Sequence, residues 1–132
     1  MIGTLAVGQV TGFAASPNTG SETGGAYVTI SAASTVSSGT ISYTVISPTT
    51  MQAEGDSYPD YTMQVPGTIS MTGRSSYDLN IEIVNDSYYE ADETITLLLY
   101  NPTGDVTLDT GNDDITVTIS DNDDPPTLYF VT

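Results

Sequence analysis

Residues 81–94 read IEIVNDSYYEADET, a short apolar alternation that gives way to a run of acidic side chains. A second acidic run, Asp121 to Asp124, follows another alternating segment. Both runs therefore begin where a predicted strand ends. Side-chain oxygens gathered at strand ends, with almost no basic charge to neutralise them, predict a site for a hard cation, and Ca²⁺ is the first candidate.

Apolar and polar residues alternate with a period of two through most of the chain, which is typical of strands with one buried and one exposed face. Turn-forming residues separate the alternating segments, and no segment has sustained helical spacing. About seven antiparallel strands of this kind predict an all-β, two-sheet β-sandwich of immunoglobulin-like size, with a closed barrel as the alternative. The predicted strands are 26–32, 41–45, 77–83, 95–99 and 115–119, with weaker ones at 7–13 and 68–71.

The composition excludes several classes of function. The chain has 132 residues and a formal charge of −16, and Arg74 is its only basic residue. It cannot neutralise a phosphate backbone, so we predict no nucleic-acid partner, and no apolar run is long enough for membrane insertion. Cys and His are both absent, which excludes disulfides, thiolate or imidazole metal sites and His-dependent nucleophiles.

The two ends of the chain differ from its middle. We predict an N-terminal arm at 1–9, a sandwich at 10–124 and, at 125–132, a Pro-Pro linker with an extra strand. Residues 127–132 read TLYFVT and have strong strand propensity. An exposed apolar strand is an aggregation hazard, so this segment is expected to pair with another element.

Six pieces of the sequence resemble, in order, the motifs of the Calx-β domain, the calcium-binding sandwich of sodium–calcium exchangers, an integrin subunit and many microbial surface proteins. The resemblance covers about residues 10–132 and implies a sandwich whose strand-end loops converge at one end. The matching pieces are Ser21–Gly25, Gly55–Tyr61, Gly67–Gly73, Ile81–Thr94, Leu97–Gly104 and Val117–Asp123.

The resemblance also implies a set of calcium ligands. By position in the motifs these are Glu22, Asp60, Asp86, Glu90, Asp121 and Asp123. Asn85 stands where the family often has aspartate, and Asn122 interrupts the terminal acidic run; each keeps an oxygen but loses a charge. Calcium affinity depends on ligand charge, so we expect fewer or weaker ions than in the best binding members.

Other acidic residues have simpler interpretations. Asp105, Asp109, Asp113 and Asp114 lie among turn formers, where such side chains commonly bond local backbone. For Glu93 two roles remain open: a structural hydrogen bond at the start of a strand, or support of a bound metal ion. Asp86 and Glu90 could form the acid–base pair of a glycosidase, but the chain has no Trp for sugar stacking. We predict that it is not an enzyme.

These inferences together predict a structural or adhesive calcium-binding module that acts in surface or virion assembly, as a phage-type decoration or fibre protein. It would be extracellular, on a cell surface or on a virion. Its partners would be other subunits or adjacent repeats, reached by strand addition of 127–132, in a homo-oligomer or a larger assembly. The alternatives are an excised repeat of a large extracellular adhesin and the calcium-sensor domain of a transporter.

Overall fold

The computed structural model describes residues 9–13, 19–47, 49–51 and 60–124. Most of the predicted arm and all of the predicted linker and extra strand lie outside the described residues. The strands are β1 (Gln9–Phe13), β2 (Thr19–Ser21), β3 (Ala26–Ala32), β4 (Thr40–Ile46), β5 (Gly67–Ser70), β6 (Ser76–Ile81), β7 (Glu93–Tyr100), β8 (Thr107–Leu108) and β9 (Asp114–Ser120), with a 3₁₀ turn at Thr110–Asn112.

The strands form two sheets, which confirms the predicted sandwich. One sheet has the order β6-β3-β1-β8 and the other has the order β2-β9-β7-β4-β5. Two pairings, β1 with β8 and β2 with β9, are parallel, so the expectation of antiparallel strands throughout is wrong for them. The sequence did not predict β2 or β8, because strands of two or three residues are too short to show a period of two.

Alternation decides which face of each strand is buried. In β7 the side chains of Ile95, Leu97 and Leu99 point into one core between the sheets, and each is at most 1% exposed. On β9, Thr116 and Thr118 lie on the outer face and are exposed. Each fully buried aliphatic side chain contributes about 1.5–3 kcal/mol, so this core stabilises the sandwich without disulfides. The described residues include no helix that is long and apolar enough to cross a membrane.

Strand register gathers the loops into two ends. Ser21 is paired with Ser120, and Glu93 is paired with Ile119, so β2 and β9 end where β7 begins. We call this end the acidic pole, formed by residues 22–24, 60, 82–93 and 121–124. The opposite end, the turn pole, is formed by residues 33–39, 71–75 and 101–113, next to the pairing of Tyr100 with Ser42.

Candidate metal centre

All six residues predicted as ligands lie at the acidic pole. Glu22 directly follows β2, and Asp121 and Asp123 follow β9. Asp86 and Glu90 lie in the loop between β6 and β7.

Asp60 reaches the same pole through backbone pairing. Tyr61 forms an isolated bridge with Ile83, just beyond β6. On either side of that bridge, the Val84 N–H donates to the Asp60 carbonyl at 2.8 Å and the Thr62 N–H donates to the Glu82 carbonyl at 2.9 Å. The side chain of Asp60 is only 7% exposed, so its carboxyl group is directed into the pole.

The carboxylates form three overlapping groups in which one oxygen from each member lies within 4.8 Å of the others. Glu22 belongs to two groups and Glu90 belongs to two, so the three groups make one continuous cluster. The groups are Glu22 with Asp121 and Asp123, Glu22 with Asp86 and Glu90, and Asp60 with Glu90 and Glu93. The cluster therefore unites the six predicted residues and adds Glu93.

Asp121 connects the loops of the cluster. One of its oxygens accepts the Glu90 N–H at 2.8 Å, and the other accepts the Asp123 N–H at 3.3 Å. Nearby, the Tyr88 N–H donates to Asp86 Oδ1 at 2.9 Å. The bond from the Glu90 N–H to the Asp121 carboxylate thus holds the loop between β6 and β7 to the end of β9, while the other two bonds are local.

Glu93 is the residue whose role the sequence left open. It shares strand parity with Ile95, Leu97 and Leu99, and therefore lies on the core-facing side at the start of β7. Its Oε2 atom is buried and accepts no hydrogen bond from an N–H or hydroxyl group in the described part of the chain. A buried oxygen without a partner costs about 1–3 kcal/mol. The period of two was the signal that could have placed Glu93 beside the other carboxylates.

The pKa values of three glutamates at this pole are raised above their ordinary value. Burial, then hydrogen bonds with Glu90 and Asp60 and the charges of both, raises the pKa of Glu93 to about 8. Burial and the charges of Asp121, Asp86, Asp123 and Glu90 raise the pKa of Glu22 to about 7. The pKa of Glu90 is also raised, first by burial. Burial and repulsion therefore oppose ionisation of Glu22, Glu90 and Glu93, and a bound cation would remove that opposition.

Asn122 lies against the outer part of the cluster. When its amide is oriented to satisfy both polar atoms, the nitrogen donates to Glu22 Oε2 at 2.7 Å and the oxygen accepts from the Thr23 hydroxyl at 2.6 Å. Asn85 Oδ1 lies beside the same amide. Asn122 thus supplies an N–H donor to a carboxylate where an aspartate would add another negative charge.

The inner part of the cluster opens into a small cavity. Its lining combines the carboxyl-bearing residues Glu22, Asp60, Glu93 and Asp121 with apolar residues that include the buried Met51. Apolar walls lower the local dielectric and strengthen the attraction between carboxylates and a cation. The donors are carboxylate oxygens without nitrogen or sulfur, which suits Ca²⁺ better than Zn²⁺.

Comparison with known proteins bears on the fold. No family model and no curated protein matches the sequence. Among solved structures, the chain is similar to the apo-form Calx CBD1 domain, with 22% identity, a TM-score of 0.65 and coverage of 87% of this chain and 97% of that chain. The chain has a Calx-β-like fold. The resemblance of the sequence motifs is thereby confirmed for the fold.

Three further structures agree with this fold. CBD12 from CALX1.2 has 24% identity and a TM-score of 0.69, and the alignment covers 87% of this chain but 44% of that longer chain. The Calx CBD2 domain has 14% identity and a TM-score of 0.63, with 86% of each chain covered. The calcium-binding domain CBD12 of CALX1.1 is also similar to the Calx-β-like chain, with 24% identity, a TM-score of 0.62 and coverage of 78% of this chain and 40% of that chain.

Proposed function

We propose that this chain is a non-enzymatic calcium-binding module with a structural or adhesive role in surface or virion assembly. The observation that carries the calcium part is the convergence of seven carboxylates from loops far apart in sequence. The calcium-binding domains of similar fold support it. The seven residues are Glu22, Asp60, Asp86, Glu90, Glu93, Asp121 and Asp123.

Electrostatics explain why such a cluster needs cations. Two carboxylates about 4 Å apart repel by about 4 kcal/mol at an effective dielectric of about 20. Ca²⁺ accepts about 6–8 oxygens in irregular geometry, whereas Mg²⁺ requires a tight octahedron. An ion shared by Asp60, Glu90 and Glu93 would use the most buried group, and a second near Glu22 would face the neutral Asn122. A bound ion stabilises only the folded chain, because the loops meet only there.

Calorimetric titration with Ca²⁺ tests this proposal. We expect Asp86→Asn to lower the affinity about 10- to 100-fold, since it removes one ligand charge. Asp92→Asn is the matched control, because Asp92 is exposed in the same loop and belongs to none of the described carboxylate groups. Equal affinities for the two variants, or no binding of Ca²⁺ by the unmodified chain, would reject the calcium site.

The assembly part of the proposal is supported by the uncharged, strand-forming sequence of residues 127–132. Sedimentation of the full chain tests it. The double variant Leu128→Asp/Phe130→Asp is expected to lose self-association, while Thr127→Asp/Thr132→Asp adds the same charge at the polar ends and serves as the control. Unchanged association of the first variant would reject a role for this segment in assembly.

A second candidate function is the calcium-sensor domain of a transporter. The similarity in fold to the calcium-binding domain CBD12 of CALX1.1 favours it. A sensor must bind and release its ion at intracellular levels, with a Kd of about 10⁻⁷–10⁻⁵ M, whereas extracellular modules bind at about 10⁻⁴–10⁻³ M. The Kd from the same titration therefore separates the two functions.

A further inference from the structure

Four strands form the outer edges of the two sheets in the described part of the molecule: β6, β8, β2 and β5. Three of these edges carry or adjoin acidic residues. β6 contains Asp78, β8 lies between Asp105 and Asp109, and β2 is followed by Glu22. β5 differs, because the chain has no charged residue from position 61 to position 73.

The backbone of β5 has an open edge. Ile69 is paired with Ile41 of β4, and the Met71 N–H donates to the Gly39 carbonyl at 2.9 Å. Alternate residues of an antiparallel strand direct their N–H and C=O groups to the partner strand. Thr68 and Ser70 therefore direct theirs to the outer edge, and within the described residues these groups have no hydrogen-bond partner.

We propose that the outer edge of β5 accepts residues 127–132 of a second copy of this chain as an added strand. This inference rests on the proposed assembly function and names the surface that assembly uses. Each copy carries a charge of −16, so most contacts between copies bring carboxylates together. The β5 edge and the 127–132 segment are both uncharged, and five of the six residues of the segment, all but Leu128, favour strand structure.

The short stretch of chain between position 124 and the segment favours pairing with the β5 edge of a second copy over pairing within one chain. A carboxylate oxygen of Asp123 lies within 4.8 Å of a carboxylate oxygen of Glu22. Glu22 directly follows β2, which is the edge strand opposite to β5 in the same sheet. From β9 to the outer side of β5 the distance is about 19 Å, because neighbouring strands lie about 4.8 Å apart. The three steps from position 124 to position 127 span at most about 11 Å. Thr127 therefore cannot reach the β5 edge of its own chain, and the full six-residue segment cannot lie along that edge.

Disulfide trapping tests the contact, since the natural chain contains no cysteine. Full-length Thr68→Cys is mixed with full-length Tyr129→Cys or, for the opposite face of the added strand, Phe130→Cys. We expect mixed disulfide dimers to form at least about tenfold faster with Thr68→Cys than with Thr118→Cys, because docking raises the effective concentration of the two thiols. Thr118 is a matched control: it is exposed on the same sheet but lies in β9, which is paired on both sides.

Equal rates with Thr68→Cys and Thr118→Cys would overturn the proposal. So would a disulfide that closes within one chain carrying both Thr68→Cys and Tyr129→Cys at dilutions where copies do not meet.

A proline variant separates this inference from the assembly proposal. Ser70→Pro removes an outward N–H and leaves the ladder to β4 intact, as edge strands tolerate. We expect it to weaken association at least about tenfold, with Ser70→Ala as the control. If Leu128→Asp/Phe130→Asp abolishes association but Ser70→Pro does not, the β5 edge is wrong and assembly through the segment stands. If neither changes association, both proposals fall.

Discussion

Both poles of the sandwich contain acidic residues, but the two poles use them differently. At the turn pole Asp109 accepts the N–H of Gly111 at 2.9 Å, as a turn aspartate commonly does. None of Asp105, Asp109, Asp113 and Asp114 belongs to a described carboxylate group. At the acidic pole the carboxylates face one another. An acidic residue after a strand thus indicates a metal site only when its side chain turns toward others of its kind.

The two poles also differ in what holds their loops. The turn pole is closed by backbone bonds, including the Asp105 N–H to the Ser38 carbonyl at 2.7 Å and the Thr103 N–H to the Thr40 carbonyl at 2.9 Å. In the loop of residues 85–92, the bonds of Tyr88 and Glu90 run to carboxylates instead. We therefore expect the turn pole to be stable without a ligand, and the stability of the loop of residues 85–92 to depend on protons or cations.

The largest expected effect is at the turn pole. Gly39 has a φ of +147°, and a Cβ there would lie 2.3 Å from the Thr103 carbonyl oxygen. Gly39→Ala should lower the free energy of unfolding by about 4 kcal/mol, which combines about 1–3 for backbone strain and about 1–3 for the clash. Denaturant unfolding measures it.

Gly25→Ala, directly after residues 22–24 of the acidic pole, is the control for Gly39→Ala. Gly25 has a φ of +72° and open space around a Cβ, so only the strain cost should remain. Equal losses for the two variants would contradict the close packing of the turn pole.

The next effect is the response to Ca²⁺. At about 100 times the Kd, Ca²⁺ should raise the free energy of unfolding by about 2.7 kcal/mol. Glu93→Gln should weaken this response. Above about pH 8, where Glu93 of the calcium-free chain is ionised, the substitution should also stabilise that chain by about 1 kcal/mol, since the amide can donate to neighbouring carboxylates. Unfolding with Ca²⁺ and with a chelator measures both changes. A variant that loses stability under both conditions would show that Glu93 has only a structural role.

A smaller effect is the pH dependence of the calcium-free chain. The pKa of Glu93 rises from 4.5 to about 8, and that of Glu22 rises from 4.5 to about 7. Folding therefore favours the protonated forms, and their stabilisation is complete below pH 4.5 and is lost as the pH rises through about 7 and 8.

After discounting for solvent exposure, the free energy of unfolding should fall by about 1–2 kcal/mol between pH 5 and pH 8.5. With saturating Ca²⁺ the trend should reverse, because protons compete with the ion. Stability that rises with pH in the presence of a chelator would contradict the assigned protonation.

The smallest effect is expected for Asp109→Ala. Loss of its bond to the Gly111 N–H should cost about 0.5–1.5 kcal/mol and leave calcium affinity unchanged. Thermal unfolding and a Ca²⁺ titration of the same variant check both statements. A change in calcium affinity would contradict the separation of the two poles.

The sequence predicted the strands that carry long alternations, because a period of two is readable over six or seven residues. It located the ends of β6 and β9, and with them the places where the acidic runs begin. It missed β2 and β8, whose pairing is set by neighbouring strands and not by their own pattern.

Less of the candidate site than of the fold could be predicted from the sequence. The position of Asp60 depends on a single bridge between Tyr61 and Ile83, which no local pattern encodes. The role of Glu93 was left undecided because its charge alone does not show whether it is buried. Its spacing of two residues from Ile95 did indicate that it lies on the core-facing side of β7. The contact of Asn122 with Glu22 joins residues 100 positions apart and required the folded chain.

The most direct test of the account is a crystal structure of the full chain grown in millimolar Ca²⁺. The account predicts an ion at the acidic pole, with oxygens of Asp60, Glu90 and Glu93 about 2.3–2.6 Å away. The turn pole, with its backbone-bonded aspartates, should hold none. An acidic pole without an ion under these conditions, or an ion bound only at the turn pole, would contradict it.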